Sequence, residues 1–126
     1  MSPSLLSTAA IVLACVGVGH SILGETMIFR HVRRAGVLPT DAAPPLRGRH
    51  VRILWASWHI ASVFGWALAA ILWRLATAPG PPIDGFAVRT CGIAASGAAA
   101  LVLVATGGRH PGWIGLGAAG LLALLA

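Results

Sequence analysis

Residues 51–77 read VRILWASWHIASVFGWALAAILWRLAT, and this stretch decides the fold class. Its charged residues are Arg52 and Arg74, near its two ends, and the proline-rich run at 79–82 cannot continue a helix. A helix of about 20 residues, rising ~1.5 Å per residue, crosses a hydrocarbon core of ~30 Å. The stretch is long and apolar enough to do this, so it predicts a transmembrane helix.

Three further apolar stretches predict helices at about 5–29, 86–106 and 111–126. The last of these begins at Pro111, because proline is favoured at the first position of a helix. Its sixteen residues would reach only ~24 Å, short of the ~30 Å core. We nevertheless expect it to span, because it has no polar face with which to lie on a membrane surface.

The composition supports a membrane protein. Of 126 residues, 57% are hydrophobic and 10% are charged, and the mean hydropathy is +0.85. A soluble domain carries about a quarter charged residues, because its surface must be hydrated. We therefore predict an all-α, polytopic integral membrane protein: an up-down bundle of four transmembrane helices, forming a single membrane domain over 1–126 with a cytoplasmic loop at 30–50.

The start of the chain has a second interpretation. Cys15 follows an apolar run, much as in a lipoprotein cleavage site. The residues before it contain no arginine or lysine, so the basic segment that opens a signal peptide is missing. We expect this run to be a retained first helix.

Arginine supplies all nine basic side chains, and the net charge is +6. A basic protein can bind polyanions, but six of these arginines lie between Arg30 and Arg52, beside apolar stretches. That placement predicts a bilayer as the partner and no nucleic acid. With Arg109, seven arginines fall on one side of the predicted bundle, and Arg74 and Arg89 on the other. The positive-inside rule then places both termini outside.

Contacts between membrane helices usually involve small residues, because lipid provides no hydrophobic drive for association. Small residues at helical spacing predict such contacts on the first, third and fourth helices. They are Gly17, Ser21, Gly92, Ser96, Ala100, Gly112, Gly115 and Gly120.

The second helix carries a stripe with alternating steps of three and four residues, which is one helical face. One interpretation is a packing surface whose indoles fill volume. The other is the wall of a ligand site around His59. The stripe consists of Arg52, Trp55, His59, Ser62, Trp66, Ala69 and Trp73.

Glu25 is an acid within the first predicted helix. An ionisable residue inside a transmembrane helix raises the free energy of membrane insertion by roughly 2.5–3.5 kcal/mol. Its presence therefore indicates a charged partner or a functional role. Because Glu25 lies about one turn from the end of this helix, we predict an ion pair with Arg30 or with an arginine of the next helix. Proton handling or substrate binding is the alternative.

His20 and His59 are predicted to lie at one depth on adjoining antiparallel helices. His20 lies nine residues before the end of the first stretch and His59 eight residues after the start of the second, which places both ~12–14 Å from the same edge. They would then be able to bind one ligand, most concretely the iron of haem b, with Gly17 and Gly24 leaving room for the macrocycle. Alternatively, the two histidines hydrogen-bond to Ser62, to Ser96 or to each other.

The predicted polar site lies in the cytoplasmic half of the bundle, with His110 at its rim. His110 also suits a capping role, because it stands at the start of the fourth helix. The sequence contains no recognised catalytic motif, so we do not predict an enzyme. The members of the predicted site are His20, Glu25, Trp55, His59, Ser62, Trp66 and His110.

Three short motifs carry a resemblance that covers most of the chain. They are His-Ser-x-Leu-Gly-Glu at 20–25, Trp-His-x-x-Ser at 58–62 and Arg-His-Pro-Gly-Trp at 109–113. In this order they resemble a group of small four-helix bacterial membrane proteins of unassigned function, which implies the bacterial inner membrane and no particular activity. Four-helix multidrug transporters are of comparable size and depend on a first-helix glutamate, whereas Glu25 lies near its helix end.

Three functions follow as hypotheses. The first is a binding or accessory membrane protein that presents the polar site to a lipid-soluble ligand or to a partner, either another membrane protein or a second copy of the chain. The second is a b-type cytochrome with haem between His20 and His59. The third is a small proton-coupled transporter that uses Glu25.

Overall fold

A computed structural model describes residues 3–77 and 83–125, and these residues form four α-helices without β-strands. The predicted all-α class is confirmed, and the helix ends differ from the predicted ones by about three residues at most. Ala126, the predicted last residue of the fourth helix, lies outside the described residues. The helices are α1 (Pro3–Met27), α2 (Gly48–Thr77), α3 (Ile83–Thr106) and α4 (Gly112–Leu125).

Three of the four helices are long and apolar enough to cross a membrane. These spans are Leu6–Met27, Gly48–Thr77 and Gly85–Thr106. Many large apolar side chains on them are exposed, such as Ile22 and Leu23 on α1, which suits a surface that faces acyl chains. The fourth helix has 14 residues and reaches only ~21 Å, so its crossing of the bilayer stays a prediction.

The second helix begins at Gly48, earlier than the predicted start at Val51. The carbonyl of Arg47 accepts the amides of His50 at 2.8 Å and of Val51 at 3.3 Å, which closes the first turn. The sequence prediction assigned residues 30–50 to the loop, because prolines and glycines in this stretch favour irregular structure. A long arginine side chain can extend from a helix into the polar interface, so charge alone does not end the helix.

Each helix packs mainly on its neighbour in sequence: α1 on α2, α2 on α3, and α3 on α4. Between the described parts of α1 and α4, contact is marginal at most. The helices therefore form an open row in which α2 and α3 lie in the middle. In such a row, α2 packs on α1 along one side and on α3 along another, and its remaining sides are exposed.

Small residues bring α4 close to α3. A Cβ added to Gly120 would lie 2.9 Å from the backbone nitrogen of Ser96 and 3.0 Å from the carbonyl oxygen of Gly92. These three predicted contact residues are confirmed. The prediction for Gly115 is wrong, since a Cβ there would meet nothing within 4 Å.

The connection between α1 and α2 folds back on itself. It begins with a 3₁₀ turn (Phe29–Val32), in which Phe29 is buried. The amides of Thr40 and Asp41 donate to the carbonyl of Val32 at 2.9 and 2.8 Å. Arg34 donates to Asp41 at 2.8 Å, and this hydrogen bond holds the pKa of the carboxyl below its ordinary value. We call this part of the molecule, together with the turn at 107–111, the arginine-rich end.

Candidate functional site

Glu25 accepts three hydrogen bonds at the α1–α2 interface. Arg33 Nη2 donates to Oε2 at 2.7 Å, and Trp55 Nε1 donates to Oε1 at 2.5 Å. His59 Nε2 lies 3.2 Å from Oε1. Three donors satisfy a carboxylate that is 32% exposed and largely withdrawn from water. The predicted ion pair is present, but its partner is Arg33 and neither Arg30 nor an arginine of α2.

His59 connects Glu25 to two serines. Its Nδ1 lies 3.0 Å from Ser21 Oγ, and Ser21 Oγ lies 2.8 Å from Ser62 Oγ, which is buried. Because a carboxylate can only accept, we assign a ring proton of His59 to Nε2, where it faces Glu25. Ser21 donates its hydroxyl proton to Ser62 Oγ. Glu25, His59, Ser21 and Ser62 thus form one continuous hydrogen-bonded chain.

His20 is held by stacking. Its ring lies on the indole of Trp58 with centroids 4.2 Å apart and planes 6° from parallel. Trp58 Nε1 donates to the backbone carbonyl of His20 at 2.8 Å, and Phe29 packs edge-on against the same indole at 6.0 Å. Among residues 3–77 and 83–125, neither ring nitrogen of His20 has a hydrogen-bond partner. The orientation of this imidazole is therefore fixed while its nitrogens are unpaired.

Two glycine–tryptophan contacts set the spacing of α1 and α2. A Cβ added to Gly24 would collide with Nε1 of Trp58, and one added to Gly17 would lie 2.5 Å from Nε1 of Trp66. Trp66 Nε1 also donates to the carbonyl of Ala14 at 3.3 Å. The space beside these glycines, which the sequence assigned to a macrocycle, is occupied by indoles.

Most of the predicted stripe on α2 faces α1. Trp55, His59, Ser62 and Trp66 all hydrogen-bond to groups of α1. Arg52 does not belong to this face, because it lines a cavity with the turn between α3 and α4.

His110 lies beside the same cavity. It is not at the rim of the α1–α2 cluster, the name we give to the set His20, Ser21, Glu25, Arg33, Trp55, Trp58, His59 and Ser62. The Nδ1 atom of His110 accepts the amide of Gly112 at 3.1 Å, at the first residue of α4. This is the capping role that its position in the sequence also suggested.

Sequence reasoning missed three members of the cluster: Ser21, Arg33 and Trp58. A signal existed for two of them. Ser21 stands four residues before Glu25, and Trp58 stands four before Ser62, so each pair shares a helical face. Arg33 lies beyond the end of α1, where no helical periodicity applies, and only the fold of the connection reveals its role.

The cluster does not fit a bis-histidine haem. An axial histidine offers a free ring nitrogen to the iron, whereas both nitrogens of His59 have partners in the cluster. The glycines expected to admit the macrocycle are covered by Trp58 and Trp66. Within the described part of the chain, no group of three or more His, Cys, Asp or Glu side chains is placed to hold a metal ion.

Comparison with protein-family models, curated proteins and solved structures finds no match to this chain. The geometry of the α1–α2 cluster is therefore what bears on function. Chemically, the cluster can do two things. It can hold or pass a proton along the chain from Glu25 to Ser62, and it can present the imidazole of His20 to a ligand.

Proposed function

We propose that this chain is a multi-pass protein of the bacterial inner membrane, of binding or accessory type. Its four helices form an up-down bundle in the bilayer with both termini outside, and a lipid-soluble ligand or a partner binds at the α1–α2 cluster. Three helices of sufficient length and apolarity support the membrane location. The shared cavity of Arg52 and Arg109 supports the topology, because it gathers arginines from the start of α2 and from the turn between α3 and α4 at one end.

The observation that carries this proposal is the unpaired imidazole of His20. Three polar side chains around it, Glu25, His59 and Trp58, have hydrogen-bond partners at the α1–α2 interface. A polar group in an apolar environment costs free energy when it lacks a hydrogen bond. A ligand head group that bonds His20 would recover this cost, and stacking on Trp58 has already fixed the ring, so little entropy is lost on binding.

The ligand would approach from the acyl chains. Val16 and Leu23 stand four residues before and three after His20, on the same side of α1, and are 59% and 54% exposed. An apolar exposed surface around one half-buried imidazole suits a molecule with an apolar body and a hydrogen-bonding head group. A transmembrane helix that carries one polar side chain would also combine an apolar body with a hydrogen-bonding group. Such a helix could belong to another protein or to a second copy of this chain.

Substitution of the histidine by phenylalanine tests the proposal. His20→Phe keeps a flat ring on Trp58 but removes both nitrogens, and His31→Phe makes the same change at an exposed loop position. Native mass spectrometry of protein in lipid nanodiscs should show an added small-molecule mass, or a second protomer, in wild type and His31→Phe but not in His20→Phe. The same spectrum for all three proteins would contradict the proposal.

Proton-coupled transport is a second candidate, and the continuous chain from Glu25 to Ser62 favours it. Hydroxyl and imidazole groups at 2.8–3.2 Å can pass a proton by successive transfers. In proteoliposomes with an internal pH-sensitive dye, wild type should carry protons down an imposed gradient and Glu25→Gln should not. Equal rates of proton flux for wild type and Glu25→Gln would rule out proton transport through Glu25.

A further inference from the structure

A cavity at the arginine-rich end is separate from the α1–α2 cluster. It has a volume of about 390 Å³ and lies between the start of α2 and the turn that joins α3 to α4. The α2 residues that line it share the cavity with the end of α3 and the turn that follows it. Its lining consists of Arg49, His50, Arg52, Ile53, Thr106, Arg109 and His110.

The cavity concentrates positive charge. Three guanidinium groups line it, and none of the described residues in its lining carries a carboxylate. Two of the acids of the protein are bound elsewhere, Glu25 by Arg33 and Asp41 by Arg34. The third, Asp84, stands in the first turn of α3, at the opposite end of that helix from the cavity.

Arg52, which lines the cavity, has an unsatisfied polar atom. Its Nε is buried and has no hydrogen-bond partner within the described structure. A buried N–H of a cation without an acceptor costs more than a neutral one, so an acceptor at this position would be strongly favourable. Neither Arg49 nor Arg109 is paired with a carboxylate of the described residues.

The start of α2 adds to the positive potential. The helix begins at Gly48 and has no acidic residue in its first turn. The partial positive charge at a helix N-terminus favours an anion, and here it acts beside three arginines. Guanidinium groups bind phosphate oxygens through paired hydrogen bonds.

We propose that this cavity binds a phosphate group, with Arg52 and Arg109 as its principal ligands and Arg49 beside them. A basic pocket between helices, at the end that the arginine asymmetry assigns to the cytoplasm, is placed to hold a lipid head group. A free phosphate ion has the same chemistry. Ile53 gives the lining one apolar residue, which suits a lipid ester.

The test uses two double variants with the same change in charge. Arg52→Gln with Arg109→Gln removes two guanidinium groups from the cavity. Arg30→Gln with Arg47→Gln removes two exposed arginines of the same end that do not line it. Phosphatidylglycerol binding in nanodiscs of phosphatidylcholine should weaken about tenfold or more in the cavity variant, which corresponds to about 1.4 kcal/mol, and stay near the wild-type value in the control.

A second arm distinguishes the source of the phosphate. Inorganic phosphate, added to lipid-free protein in detergent, should raise the melting temperature of wild type and not of the cavity variant if the natural ligand is a free ion. No effect of phosphate, together with specific binding of phosphatidylglycerol, assigns the cavity to a lipid head group. Equal loss of lipid binding in both double variants, or no binding by wild type in either arm, would overturn the proposal. His20→Phe should leave binding here unchanged, so this proposal and that for the α1–α2 cluster can fail separately.

Discussion

Replacing Glu25 by glutamine tests whether the α1–α2 cluster is a structural ion-pair network. The carboxylate accepts hydrogen bonds from Arg33 at one oxygen and from Trp55 and His59 at the other. A glutamine amide has one oxygen and one NH₂ group. If its oxygen accepts from the two α2 donors, its NH₂ group faces the guanidinium of Arg33, and two donors then meet without an acceptor.

The expected loss follows from these contacts. A hydrogen bond to a charged group contributes about 1.5–3 kcal/mol, and Glu25→Gln gives up the one to Arg33. Because Glu25 is 32% exposed, hydrogen bonds to water replace part of the lost interaction. We therefore expect Glu25→Gln to lower the free energy of unfolding by about 1–2 kcal/mol. Glu25→Ala leaves all three donors without an acceptor. It should lower the free energy of unfolding by about 2–4 kcal/mol, near the range for breaking a buried pair.

The assay is thermal unfolding of detergent-solubilised protein, followed by tryptophan fluorescence, since Trp55 and Trp58 lie in the cluster. Asp41→Asn is the matched control, because it makes the same chemical change in an exposed ion pair of the loop. Exposed pairs contribute little, so the control should melt close to wild type. The order of melting temperatures should be wild type, Glu25→Gln, Glu25→Ala.

A further variant isolates the ion pair. Glu25→Gln combined with Arg33→Gln removes the facing cation, so the double variant should be more stable than the sum of the two single losses predicts. A melting temperature for Glu25→Gln equal to that of wild type would refute the reasoning. Loss of proton flux without loss of stability would then make proton coupling the better account of this carboxylate.

Two other predictions concern helix packing and topology. Gly24→Ala places a methyl group against the indole of Trp58 and should cost about 1–3 kcal/mol through overpacking, whereas Gly19→Ala, whose added Cβ meets nothing within 4 Å, should be neutral or slightly stabilising by thermal unfolding in detergent. Single cysteines at Thr40 and Gly80, in a cysteine-free background, should be labelled by an impermeant maleimide from opposite sides of the membrane, with Thr40 reactive only after the cytoplasmic face is opened. Labelling of both from one side would exclude the predicted arrangement of the helices.

The stripe on α2 illustrates how far sequence periodicity reaches. Steps of three and four residues correctly placed Trp55, His59, Ser62 and Trp66 on one face, because the angle between residues of a helix is fixed by local backbone geometry. The same periodicity included Arg52, which the structure places in the cavity beside α3 and α4. A face is wide enough to touch two neighbours, and periodicity does not say which one a residue at its edge will meet.

The sequence by itself determined the four helices and their approximate ends, because length, apolar composition and helix-breaking residues act within one segment. It also placed Glu25 where an ion pair was needed. Only the tertiary structure decided that Arg33 provides this pair, that Trp58 orients His20, and that Arg109 joins Arg52 at one cavity. These pairings depend on the rotation of each helix about its axis and on the path of the connection at 28–47. Both are set by contacts between residues far apart in sequence, which no pattern within a single helix contains.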